Sequence, residues 1–361
     1  MDISKIDKNF ANFFSFEGMK TYDINEAPFR LYGLYREEGE LDYKRLPHSL
    51  GKSVDNQSIN VLYTNTAGIR LRFRTDSQRI NISYILPDVT LFDHMPATGV
   101  SCFDLYADGK YHNVFRVGTN VSGKKPDIEE VENSYSSGLV FQDRKERDIL
   151  INFPLYNNVS RVYISLEEDA TVKAGDEYAL KQPVVFYGSS ITQGGCASHP
   201  GNCYSGMISR RLDTDFVNLG FSSGCKAEPE MCEFIGKMDL SVLVLDYDHN
   251  APTPEFLEQT HEPFFKKFRE YQPNTPVIFA SDAGISTGAH RERRREVIRR
   301  TYENARKAGD ENVYFIDGET VYDGVGWEYC EVDNIHPTDL GFWCMANVYG
   351  AVIKEILEKN S

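Results

Sequence analysis

Two short stretches carry residue types that can do chemistry together. Gly188-Ser189-Ser190-Ile191-Thr192-Gln193-Gly194 stands directly behind a short apolar run, Val184 to Tyr187. A serine at a strand-to-helix turn projects beyond the sheet edge with its backbone N–H free, where a nucleophile is useful. The other reading of the same residues is that Ser189, Ser190 and Thr192 only cap the helix that follows. Far along the chain, Asp333-Asn334-Ile335-His336-Pro337 sets a carboxylate and an imidazole three positions apart, so one turn holds both. Such a carboxylate fixes the imidazole tautomer and stabilises the imidazolium formed when a hydroxyl gives up its proton. A helix cap beside a surface histidine would use these residues too.

An acyl-transfer site also needs donors for a developing oxyanion. Asn218 to Gly224 follows the second apolar run, and Gly220 permits a close backbone approach there. Asp246 to Pro252 follows the third, where Asn250 offers an amide. Glycine turns and an Asn before Pro252 have ordinary turn explanations as well. Gly220-Phe221-Ser222-Ser223-Gly224 matches the G-x-S-x-G elbow, which makes Ser222 a rival nucleophile. Against it, Asp333 and His336 share one loop, whereas elbow enzymes draw these partners from separate loops. Ser190 is the preferred reading.

The elements that must position these residues differ between the two halves of the chain. After Lys181, apolar runs at Val184–Tyr187, Phe216–Leu219, Val242–Asp246, Val277–Ala280 and Val313–Ile316 alternate with helical patterns. The helical candidates are Tyr204–Leu212, Pro229–Ile235, Glu255–Tyr271, Ala289–Ala308 and Thr338–Leu357. This rhythm predicts a parallel sheet covered on both faces, with ligands beyond the carboxyl ends of its strands. From about Asn56 to Glu168 the period is two, as in Ile69-Arg70-Leu71-Arg72-Phe73-Arg74, and Asp108-Gly109 supplies a hairpin turn. That half predicts an antiparallel β-sandwich, apolar in and charged out, with Ile128 to Gly138 as an acidic loop. Two domains are expected, 1–180 and 181–361. The basic run Arg291 to Arg300 has a helical apolar stripe and is read as a solvated helix face.

The four loops together resemble the SGNH, or GDSL-like, hydrolase family, whose blocks supply Ser, Gly, Asn and a DxxH His in this chain order. The resemblance covers about Val184 to Leu357. It implies a three-layer flavodoxin-like fold, with Ser190 as nucleophile, His336 as general base and Asp333 orienting it. It further implies Ser190 N–H, Gly220 N–H and Asn250 as oxyanion donors. Gly-Ser-Ser-Ile-Thr-Gln-Gly-Gly-Cys-Ala-Ser behind a β-sandwich is similar to a bacterial two-domain subgroup of carbohydrate or acyl esterases with a jelly-roll-like amino-terminal module. The resemblance thus implies a carboxylic ester hydrolase acting on short, acetyl-like esters, on carbohydrates or small molecules. An acyltransferase using the same triad, or a catalytically silent glycan-binding protein, are the other readings. Two positions depart from the family pattern: Ser189 replaces the usual Asp, and Asp248-His249-Asn250-Ala251 replaces the usual third block.

Composition bounds the partners. A formal net charge of -15 and a pI near 5.1 repel polyanions, so no nucleic acid is expected. No run of about 18 apolar residues suggests a membrane span, and Met1 to Phe16 lacks a leader pattern, so a cytoplasmic protein is expected. The seven cysteines lack a CxxC pair and read as reduced, buried hydrophobes. His199, Asp248, His249 and His336 have no metal-ligand spacing, and Gly188 to Gly195 lacks a phosphate-binding Lys, so neither metal nor cofactor is expected.

Overall fold

The computed structural model describes residues 14–116, 121–122, 133–284 and 289–360. The stretch read for a leader therefore lies outside the described residues up to position 13, as do positions 128–132 of the expected acidic loop.

Period-two patterning builds the strands of the first half. Leu71, Phe73, Ile80, Ile82 and Tyr84 alternate along Arg70–Thr75 and Arg79–Ile85 and are fully buried. One antiparallel sheet runs in the order Val172–Ala174, Arg70–Thr75, Arg147–Asn152, Phe103–Ala107, Lys110–Phe115, and Arg30–Tyr32 also pairs with Arg70–Thr75. The second runs Met19–Asp23, Arg161–Glu167, Arg79–Ile85, Ser134–Val140. Their inner faces share one apolar core that includes Phe103, Ile149 and Ile164.

Two sequence expectations need correction here. Ser134–Val140, whose residues up to Gly138 are assigned to the loop by the sequence, is a strand paired in register from Ser134↔Ile85 to Val140↔Arg79. Its ladder of backbone bonds makes it a strand, and its polar Ser-Tyr-Ser-Ser start concealed it. The charged face of Arg70–Thr75 does leave the sandwich core, but at Arg70 and Arg72 it does not meet water. Arg70 and Arg72 are 1% and 8% exposed. Arg70 pairs with Asp215, donates to the Phe216 carbonyl at 3.1 Å and lies 3.9 Å above the Phe216 ring, so the arginine face is a junction with the second half.

In the second half the parallel order is Thr214–Gly220, Leu180–Gly188, Val242–Asp246, Val277–Ala280, Val313–Ile316. Val185, Tyr187, Leu243 and Leu245 pack on one side with Met231, Leu257, Phe264 and Val297 from the helices Pro229–Gly236, Pro254–Tyr271 and Ala289–Lys307. Val184, Phe186, Val242 and Val244 pack on the other with Tyr204, Ile208, Phe342 and Tyr349 from Tyr204–Leu212 and Asp339–Asn360. Strands buried on both faces must be apolar throughout, which is why their short runs were readable. The result is three layers. Asp339–Lys359 is long and apolar enough to cross a membrane, yet Phe342, Met345, Tyr349, Ile353 and Ile356 are buried in this core.

The first strand lies between the second and third, so the crossovers leave it on opposite sides and open a crevice beyond its carboxyl end. The first half reaches both cores beside that crevice. Leu46, Val54, Ile59 and Tyr63, around the helices His48–Ser53 and Gln57–Leu62, join one; Ala67, Val100, Leu155 and Tyr156 join the other.

Candidate active site

At the end of Leu180–Gly188 the chain turns into a single helical turn, Ser190–Gln193. Ser189 caps it, its hydroxyl accepting the Ile191 N–H at 3.2 Å, and its own N–H is held by the Asp246 carbonyl at 3.2 Å. The two serines therefore divide the readings raised by the sequence. Ser189 is the cap, while Ser190, 9% exposed, begins the turn with an N–H that has no acceptor within it.

The Ser190 Oγ lies 2.8 Å from His336 Nε2. His336 Nδ1 lies 2.8 Å from Asp333 Oδ2, and Asp333 Oδ1 accepts the backbone N–H groups of His336 and Ile335 at 2.8 and 3.2 Å. Asn334 takes a left-handed conformation, φ 64°, which folds this turn tightly enough for the carboxylate to reach the ring three residues on. Partial burial pushes the Asp333 carboxyl up, but the backbone and ring N–H groups of His336 outweigh it and leave the carboxyl below the usual range. It stays anionic beside the imidazole. Ser222 has its N–H on Gln193 Oε1 at 3.0 Å, and among the described residues no imidazole pairs with its hydroxyl.

Of the other expected oxyanion donors, Gly220 borders the same turn and Asn250 reaches the Phe221–Gly224 loop, and both are engaged with the protein. Gly220 lies against the Gln193 backbone, where a side chain would collide, and its N–H donates to Asn218 Oδ1 at 2.9 Å. Asn250 directs its amide at the carbonyls of Phe221, at 3.1 Å, and Gly224. The departures in the third block join a buried polar network: His249 pairs with Asp282, which also pairs with Arg291, and Asp248 Oδ2 accepts the Asp282 N–H at 2.8 Å. Burial alone would push the His249 ring down, yet Asp282 and Asp248 hold it up at about 9. His199, also considered, lies apart from these, 2.6 Å from the buried Asp104 of the sandwich.

Several residues at the site went unread. Tyr156, from the first half, donates to the Ser190 carbonyl at 3.0 Å. Gln193 donates to Asn65 and Leu155 of the first half, at 3.2 and 3.1 Å, while holding Ser222. Arg45 is wholly buried, stacked 4.2 Å over Phe221, and donates to the carbonyls of Leu62, Asn65, Asn218 and Gly220. Burial lowers its guanidinium to about 9. Gln193 lay inside the quoted motif; Arg45 and Tyr156 carry no local signal at all. None of the seven cysteines is in a disulfide, and all are buried.

A sequence model of the GDSL-like lipase/acylhydrolase family matches residues 181–354, and one for the amino terminus of SGNH-hydrolase-type esterases matches residues 19–172. Residues 181–354 belong to the GDSL-like lipase/acylhydrolase family, and the residues before them to the module that precedes SGNH-hydrolase-type esterases. The chain is a carboxylic ester hydrolase on a flavodoxin-like parallel sheet, preceded by a β-sandwich. This GDSL-like hydrolase is similar to a candidate GDSL-like lipase of Bacteroides ovatus ATCC 8483, 28% identical over 94% of this chain and 98% of that one, TM-score 0.82. It shares its fold with a salicylyl-acyltransferase of a tetracycline biosynthetic pathway, 20% identical over 92% and 96% of the chains, TM-score 0.73. A Clostridium thermocellum family two carbohydrate esterase in complex with cellohexaose is 13% identical over 81% and 94%, TM-score 0.59. Among curated proteins nothing matches.

Proposed function

We propose that the hydrolase cleaves short-chain acyl esters, acetyl esters of carbohydrates among them, through an acyl-enzyme on Ser190. The observation that carries this reading is the chain of two 2.8 Å contacts, Ser190 Oγ to His336 Nε2 and His336 Nδ1 to Asp333. Ser190 Oγ attacks the ester carbonyl carbon as His336 takes its proton, and the collapsing intermediate expels the alcohol, which leaves with that proton. Water then repeats the sequence and frees the acid. Ser190 N–H, Gly220 N–H and the Asn250 amide are the donors assigned to the oxyanion, the last two by exchanging their present acceptors for substrate. The boundary between sandwich and catalytic domain is placed at Lys181. The carbohydrate assignment is supported by the shared architecture with carbohydrate esterases and by the sandwich, which supplies Tyr156 and Leu155 to the site.

Acyl transfer is the second reading, favoured by exposed apolar side chains on the segment carrying His336. Tyr329, Val332 and Ile335 are 63%, 47% and 43% exposed, a surface on which an apolar acceptor alcohol would displace water. The test is turnover of a p-nitrophenyl ester chain-length series and of acetylated sugars, each with and without added alcohol. Acetate release from sugars as the fastest reaction is expected. Preference for long acyl chains overturns the acetyl assignment, and ester products in place of free acid shift the function to transfer.

A further inference from the structure

A second arrangement of ligating atoms overlaps this site. One ring nitrogen each from His94 and His336 and the thiol of Cys196 all lie within 4.8 Å of one another. They come from three separate segments: the loop after the Arg79–Ile85 strand, the DxxH turn, and the stretch following the nucleophile turn. The His94 and His336 ring centroids are 5.4 Å apart, and the Cys196 sulfur is 3.5 Å from the His94 carbonyl. Cys196 sits at φ 72°, a left-handed conformation uncommon for a side-chain-bearing residue, and is nearly buried. Each imidazole also has a carboxylate at Nδ1: Asp333 at 2.8 Å from His336, and the exposed Asp93 at 3.1 Å from His94. A carboxylate at Nδ1 leaves the Nε2 lone pair as the ligand and raises its basicity, the outer arrangement typical of zinc-binding histidines.

We propose that His94, Cys196 and His336 form an inhibitory site for a thiophilic divalent cation of the zinc class. Imidazole and thiolate are the donors such ions select, and two nitrogens and one sulfur leave a fourth tetrahedral position open. Bond lengths of about 2.0–2.3 Å bring ligand atoms to roughly 3.5 Å separation. Closing from the present spacing requires about an ångström of movement, which the His94 side chain on its loop can supply. Binding breaks the Cys196 S–H bond, forms a sulfur–metal bond and releases the proton to solvent, with no change of oxidation state. The His336 Nε2 that binds the ion no longer accepts the Ser190 proton. The ion therefore switches the enzyme off, and it does so only because His94 of the sandwich half is present. The inhibitory consequence rests on His336 being the base; the ion site itself does not.

The test uses the full chain titrated with Co²⁺ and followed by absorption, in parallel with esterase assays in chelator-buffered Zn²⁺. A thiolate-to-cobalt charge-transfer band saturating at one ion per chain is expected, with activity lost over the same range for Zn²⁺. Cys196→Ser should abolish the band, and both it and His94→Gln should raise the inhibiting Zn²⁺ concentration at least about tenfold while leaving metal-free turnover in place. No band in the wild-type chain, or a band that survives Cys196→Ser, overturns the site. A normal band with turnover unaffected by Zn²⁺ keeps the ion site and instead removes His336 as base.

Discussion

The proposed catalytic trio and the residues that brace it are built in opposite ways. The side chains of Ser190, His336 and Asp333 meet through one contact per pair at a partly open edge, with the Asp333 side chain about one-third exposed. Arg45, Tyr156 and Arg70 of the first half are almost wholly buried, and the two arginines each engage several partners: Arg45 four carbonyls and an aromatic face, Arg70 a carboxylate, two carbonyls and the Phe216 ring. The difference follows from what each group must do. A nucleophile and base exchange protons with substrate and water, so they keep free lone pairs and access. A brace works by being over-determined, since a buried donor that loses one of several acceptors stays in place. The sandwich is in this sense part of the active-site framework. Gly68 makes the same point, because at φ 81° it lets the first half close directly on Asn218, the residue that accepts the Gly220 N–H.

The sharpest contrast comes from removing the trio. Ser190→Ala should lower kcat by roughly 10⁴- to 10⁶-fold while thermal stability is almost unchanged. Ser222→Ala should stay within a few-fold of wild type, its hydroxyl having no described imidazole partner. An active Ser190→Ala protein beside an inactive Ser222→Ala protein would transfer the chemistry to the elbow-like loop.

Removing a brace should reverse the balance. Arg45→Met fills much of the same volume but removes the guanidinium stacked on Phe221 and leaves the carbonyls of Leu62, Asn65, Asn218 and Gly220 without this donor. Each buried acceptor left unpaired costs about 1–3 kcal/mol, so a loss of roughly 3 kcal/mol or more in urea unfolding is expected. Turnover should fall about 10- to 100-fold, because Gly220 shifts against the Ser190–Gln193 turn. Arg45→Lys should not rescue it, since an ammonium cannot reproduce the guanidinium fork. Full stability in Arg45→Met would show that the bracing contacts are dispensable.

The two classes also differ in how far the sequence reveals them. Ser190, Asp333 and His336 sit in short local patterns whose chemistry and strand-end placement can be reasoned from neighbours. The five parallel strands were legible because burial on both faces writes an apolar run into each. Arg45 has no such signature, as it lies outside any periodic element and its partners are 17 to 175 positions away. Arg70 and Arg72 were misread for a related reason. Period two separates the faces of a strand, but it does not say whether the outer face meets water or a second half. Ser134–Val140 was missed because a backbone ladder can hold a polar strand.

The smallest effect expected concerns a brace made within the catalytic half. His249, between Asp248 and Asp282, holds its proton up to about 9, whereas in an unfolded chain it would lose it near the ordinary histidine value of about 6.5. A folded-state value above the unfolded one means that this contribution is complete below about pH 6.5 and disappears as pH rises through about 9. Asp246, pushed up to about 7 by burial and by Asp248, weakens the fold in the same direction as pH rises, so the wild-type slope alone does not isolate the histidine. The difference between wild type and His249→Gln does. Wild type should lose a few degrees more in Tm than the variant between pH 6.5 and pH 9.5, because only wild type gives up a cation that Asp282 requires. Equal slopes would mean that Arg291 alone balances Asp282, and that the third-block departure from Gly-x-Asn-Asp carries no charge-dependent role in holding Asn250 on the Phe221–Gly224 loop.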